Sequence, residues 1–71
     1  MTHHIANIVE LVGSSDNGWK EAVEVALAEA TKTIRGITGL EVVSRTAAVD
    51  PNTGKIKKYS ATIKLAFGVE R

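Results

Sequence analysis

The spacing of apolar positions changes along the chain, and each change marks an element. From Ile5 to Val12 the residues alternate, with Ile5, Asn7, Val9 and Leu11 on one face and Ala6, Ile8, Glu10 and Val12 on the other. That is the period of a β-strand, and its apolar groups on both sides predict that both faces are at least partly covered. Gly13-Ser14-Ser15-Asp16-Asn17-Gly18 breaks the alternation, and Ser14, Ser15 and Asp16 all suit a helix N-cap. A helical period then predicts a helix over about Asp16 to Arg35. Trp19, Ala22, Val23, Ala26, Leu27, Ala30, Thr33, Ile34 and Ile37 form its apolar stripe. Glu21 and Glu24 near its start, with Lys32 and Arg35 in its last turn, would complement the helix dipole. Gly36 and Gly39 are expected to stop it.

From Leu40 to Val49 the period returns to two. Leu40, Val42, Ser44, Thr46 and Ala48 share one face, and Glu41, Val43, Arg45, Ala47 and Val49 the other. Asp50-Pro51-Asn52-Thr53-Gly54 predicts a hairpin turn, because proline presets φ at one position and glycine accepts a positive φ at another. The last strand, about Lys55 to Val69, alternates cleanly. Tyr59, Ala61, Ile63, Leu65, Phe67 and Val69 face one way, and Lys58, Ser60, Thr62, Lys64 and Ala66 the other. The expected fold is α+β, a β-α-β-β domain over residues 1–71. Its apolar sheet face should pack on the helix, with Glu41 and Arg45 on that face and Tyr59 opposite Arg45. The reverse face should gather Ser44, Thr46, Lys58, Ser60, Thr62 and Lys64. One helix leaves that reverse face and both sheet edges uncovered.

A chain of 71 residues makes one domain, too small to bury a large share of its surface. It has no cysteine, so disulfides and a thiolate zinc site are excluded. The two histidines, His3 and His4, are neighbours on a strand and point to opposite faces, which disfavours joint chelation of an ion. Association of subunits is the remaining source of extra stability, and the long strands are suited to it. Hydrophobic residues make up 44% of the chain, enough for a core. A net charge of +1 lacks the electrostatic footprint of a nucleic-acid binder or of a protein that seeks acidic membranes. No apolar run approaches the ~20 residues that span a bilayer, nor is there a signal-peptide pattern, so a cytoplasmic location is expected.

No catalytic constellation is visible, and no enzyme is expected. Gly13 to Gly18 lacks both the P-loop lysine and the glycine spacing of a dinucleotide fingerprint. Asp50 to Gly54 has too few acidic groups for a calcium loop, and its turn reading is sufficient. The lysines at 55, 57, 58 and 64 read as a solvated, aggregation-resistant edge, or as phosphate ligands once copies come together. Trp19 reads as a helix anchor. Glu41 and Arg45, charged residues on an otherwise apolar face, are expected at a border where subunits meet. If a small molecule binds, Ser44, Thr46, Lys58 and Ser60 are the candidate residues.

The ordered set Val9-Glu10-Leu11-Val12-Gly13-Ser14-Ser15, Gly18-Trp19, the alanine-rich segment Glu21 to Ala30, Thr33-Ile34-Arg35, Leu40-Glu41-Val42-Val43 and Tyr59 to Phe67 resembles the dodecins over nearly the whole chain. The resemblance implies β-α-β-β subunits assembled into a hollow homododecamer that binds and stores flavins such as FMN, riboflavin or lumichrome. It implies flavin pairs at subunit interfaces, sandwiched by a tryptophan just before the second strand. A glutamine after an aromatic in the last strand would then hydrogen-bond the ring. Here Gly39 stands at the tryptophan's place and Ser60 at the glutamine's. An arginine usual on the second strand is displaced, with Thr46 at its place and Arg45 beside it. None of those flavin contacts is carried over. Some dodecins are associated with calcium or hold coenzyme A, which leaves an ion-binding or structural shell as the other implication.

Overall fold

The computed structural model describes the backbone of residues 4–70 and the side chains of residues 7–68. His3 lies outside them, as do the side chains of His4, Ile5, Ala6 and Val69, so the expectations about chelation and facing at those positions end there. The elements are β1 (His4–Ser15), α1 (Trp19–Thr31), β2 (Ile37–Val49) and β3 (Ile56–Glu70). The three strands form one antiparallel sheet in the order β1-β3-β2. β1 and β2 run in the same direction, joined by the helix, with β3 inserted between them.

The strands are 12, 13 and 15 residues long, well beyond the usual length of about 5–6. β1 continues through Gly13, Ser14 and Ser15 because those residues still pair with Ala61, Ser60 and Tyr59 of β3. Gly39, expected as a helix stop, sits inside β2 beside an irregularity in its pairing with β3.

The helix is shorter than its apolar period predicted, at 13 residues. Its N-cap is Gly18, with no side-chain cap. The three expected caps are occupied otherwise or unused: the Ser14 hydroxyl bonds that of Ser60 across the sheet at 3.1 Å, and Ser15 Oγ accepts the Asn17 N–H at 2.9 Å. Asp16 precedes the helix in a bend. Asn17 instead bonds Glu21 of the first turn, its Nδ2–H donating to Oε2 at 2.7 Å. At the other end the Thr31 hydroxyl donates to the Ala28 carbonyl, and Thr33 N–H tightens onto Ala30 O. The threonines around Lys32, poor helix formers, thus end α1 before Lys32 and Arg35 can enter its last turn. Gly36 takes the positive φ, 76°, between the helix and β2.

The core is narrow. Ala22, Ala26 and Ala30 of α1 bury against Ala61, Ile63 and Leu65 of β3, with Val9, Leu11, Val23, Leu27, Ile34 and Ile37 packed around them. Gly13 lets β1 approach the helix backbone. A Cβ at that position would collide with the Ala22 carbonyl and lie 2.8 Å from Ala26 Cβ. Small side chains on both partners therefore set the helix-to-sheet distance.

The β2–β3 register corrects the expected facing. Val42 pairs with Ile63 and Ser44 with Thr62, so Val43 is an extra residue in a β-bulge. Before the bulge, Leu40 and Val42 share the helix-side face with Leu65 and Ile63; after it, Arg45 and Ala47 share that face with Ala61 and Tyr59. Glu41 is therefore on the outer face opposite Lys64, and Tyr59 stands opposite Ala47 rather than Arg45. A single uninterrupted alternation could not show this phase change. The hairpin turn is as expected: Gly54 N–H donates to Asp50 O at 2.8 Å, Asp50 Oδ1 accepts Asn52 N–H at 2.9 Å, and Gly54 has φ 73°.

Substituting Gly13→Ala is expected to destabilise the fold by about 1–3 kcal/mol, the usual range for overpacking. Gly39→Ala, with nothing within 4 Å of the added methyl, should change stability by less than about 0.5 kcal/mol. Urea denaturation of the two variants checks the contrast.

Candidate functional site

The outer sheet face carries hydroxyls in cross-strand rows. Ser14, Ser60 and Thr46 stand side by side on β1, β3 and β2, and Val12, Thr62 and Ser44 form the next row. Lys58, opposite Ala48, lies beyond Ser60 on the same face. The structure thus brings all four expected residues, Ser44, Thr46, Lys58 and Ser60, onto one face, because the bulge returns β2 to the expected phase before Ser44. In the other direction Lys64 lies between Glu10 and Glu41. Hydroxyls can donate or accept, so this face can adapt to a polar ligand edge, while Lys58 supplies a cation.

Ser14 was missed as part of this patch. A serine between a strand and a helix favours a capping interpretation, and only the length of the β1–β3 ladder reveals its position. Glu10 was legible as outward-facing, but its neighbour Lys64 and the second carboxylate, Glu41, required the register. Apolar groups interrupt the face on β1: Ile8 is 68% and Val12 67% exposed. The expected cover over that face is absent from the single subunit among the described residues.

Near the opposite end, Ile8, Gly39, Leu40, Glu41, Lys64 and Ala66 border an open recess of ≈ 290 Å³. Gly39 is level with Ala66 and Ser60 with Thr46. Those two rows are six residues apart along β3, or about 20 Å. A ligand of drug-like size cannot touch both positions on one subunit. Any site that combines them takes them from different copies.

Behind the face, Trp19 locks β2 to the helix. Its indole N–H donates to the Thr46 carbonyl at 2.9 Å, and its ring meets Tyr59 edge-on, with centroids 4.9 Å apart at 81°. Trp19 is therefore an anchor, as its helix-stripe position predicted. Thr46 connects the two sides, with its carbonyl held by Trp19 and its side chain on the outer face. Among the described residues no helix is long and apolar enough to cross a membrane, and no cluster of three or more His, Asp or Glu side chains converges as a metal site would.

Known proteins share this fold. The profile of the dodecin family matches residues 5–70. The dodecin of Thermus thermophilus is 34% identical over 62 residues, covering 87% of each chain. The solved dodecin from Streptomyces coelicolor superposes with a TM-score of 0.89 at 28% identity, covering 100% of this chain and 99% of that one. An arginine-to-alanine variant of the T. thermophilus dodecin gives a TM-score of 0.88 at 30% identity, covering 97% of this chain and 100% of that one.

Replacing Trp19 by phenylalanine keeps an aromatic ring but removes the bond to Thr46, and is expected to cost about 1 kcal/mol. Trp19→Ala should cost more, about 2–3 kcal/mol, because the half-buried ring loses its packing as well. Thermal unfolding of both variants would separate the hydrogen bond from the packing.

Proposed function

This chain belongs to the dodecin family, and on that premise we propose that it is the repeating subunit of a closed homododecamer that binds and stores a small molecule rather than transforming one. Residues 1–71 form one dodecin-like domain in this reading. The observation that carries the assembly is the surface left over by the single chain. Its radius of gyration is 15.2 Å and its extents are 60 × 20 × 13 Å, whereas a compact domain of this length has a radius near 11 Å. Its accessible surface is 5288 Å², against about 4,300 Å² for a globular monomer of equal mass. The excess, about 1,000 Å², is of the order that one partner buries in a stable interface. Nearly all of β2 is exposed in the isolated subunit, including the large apolar residues Leu40 and Val49.

The ligand in this proposal lies on the outer face, against Ser44, Thr46, Lys58 and Ser60, and is a cofactor with a polar edge and a phosphate. FMN has that chemistry. The chain lacks its stacking partner, however, because Gly39 presents no ring and nothing lies within 4 Å of the place a Cβ would take. The hydroxyls and Lys58 then supply the contacts, with only weak retention of the isoalloxazine ring.

Native mass spectrometry of protein purified without added ligand is expected to show a dodecamer; a monomer as the sole species would overturn the assembly. FMN fluorescence titration is expected to show binding about tenfold tighter for Gly39→Trp than for the unmodified chain, corresponding to about 1.4 kcal/mol of aromatic stacking. Equal affinities would remove position 39 from the flavin site.

A further inference from the structure

A second recess lies on the opposite side of the sheet, between the start of α1 and the middle of β2. It has a volume of ≈ 590 Å³ and is lined by Trp19, Lys20, Val23, Val42, Val43 and Arg45, with Ser44 at the bulge. The bulge creates it. In unbroken alternation with Val42, position 45 would face outward; the extra residue Val43 returns Arg45 to the helix side, opposite Ala61. Two cations therefore flank a recess with a valine floor and an indole wall. Among the described residues neither Lys20 nor Arg45 forms an ion pair; the ion pair present there joins Lys32 to Glu29 elsewhere.

We propose that this groove binds an oxyanion carried on a flat apolar body. Arg45 holds the anion with its planar fork of N–H donors, Lys20 adds a second positive charge, and Val23, Val42 and Val43 cover the apolar part beside Trp19. Charge complementarity chooses the ligand. An uncharged apolar body would leave both cations without a partner, and a small hydrated anion would leave the valines exposed. The volume falls within the range of small-molecule sites, about 300–1,000 Å³. This site lies across the sheet from Lys58 and Ser60, and the inference stands independently of a ligand on the outer face.

The chain's single tryptophan lies in the groove wall and reports its occupancy. The assembled protein is titrated with 1-naphthyl phosphate, 1-naphthoate and neutral 1-naphthol while Trp19 emission is followed. Saturable quenching is expected with the two anions, the ratio of their dissociation constants distinguishing phosphate from carboxylate preference. Binding of 1-naphthol should be at least tenfold weaker. Arg45→Gln and Lys20→Gln are each expected to weaken anion binding tenfold or more; Arg35→Gln, outside the groove, should leave it unchanged. Equal binding of the neutral probe, or equal loss in all three variants, would overturn the proposal. So would failure of every probe to bind while Arg45→Gln alters the subunit count in native mass spectrometry, because the groove would then be filled by a second copy. Lys58→Gln distinguishes this proposal from the outer-face reading, since it should not change the Trp19 response.

Discussion

The close approach of α1 to β1 and β3 governs the rest of the subunit. Gly13 leaves room where any side chain would strike the Ala22 carbonyl, and Ala22, Ala26 and Ala30 keep the helix face thin enough to use that room. Contact through such small groups is tight, but each alanine buries little apolar area. The helix can therefore cover only a short length of sheet. Ile63 and Leu65 are the large side chains that become fully buried, and most of β2 extends past the cover. A thin core and a long sheet have the same origin.

That imbalance explains why the informative residues lie away from the core. The outer face is patterned in rows, with hydroxyls across all three strands and Lys64 between two carboxylates. The helix side of β2 is patterned differently, with valines and a lone arginine. Trp19 joins these surfaces through the Thr46 peptide, whose carbonyl it holds. The bulge at Val43 decides which side receives Arg45 and which receives Thr46.

The alternation of β3 was legible in the sequence because, from Lys58 to Phe67, one face is apolar and the other mainly polar. The outward facing of Lys58 and Ser60 followed from it, but the place of β3 between β1 and β2 did not. β2 was only half legible: its residues alternate too weakly to reveal an inserted one, so Glu41 was assigned to the wrong face while Arg45 was assigned correctly. The helix was recognisable from the Trp19-to-Ala30 stripe, but its ends were not. Ser14 and Ser15 resemble caps by composition, yet the β1–β3 ladder engages Ser14 and Ser15 pairs opposite Tyr59. At the far end, Thr33, Ile34 and Ile37 continue the helical spacing only in projection, while local threonine bonding ends the helix. The family resemblance rested on the order of many small matches, whereas Gly39 and Ser60 separate shared architecture from shared ligand contacts.

β3 is the last strand in the chain and the middle strand of the sheet. Its position imposes an order on biosynthesis. β1 and β2 have no strand partner in this sheet until β3 has been made, and the ladder from Ser15↔Tyr59 to His4↔Glu70 joins the two ends of the sequence. During translation only the helix can form from local contacts alone, while two long strands wait with unpaired backbone. Closure requires contacts of high sequence separation, which slows folding. A nascent chain from which β3 has not yet emerged therefore has no sheet of this kind, and the emergence of β3 supplies the means to form the entire sheet at once.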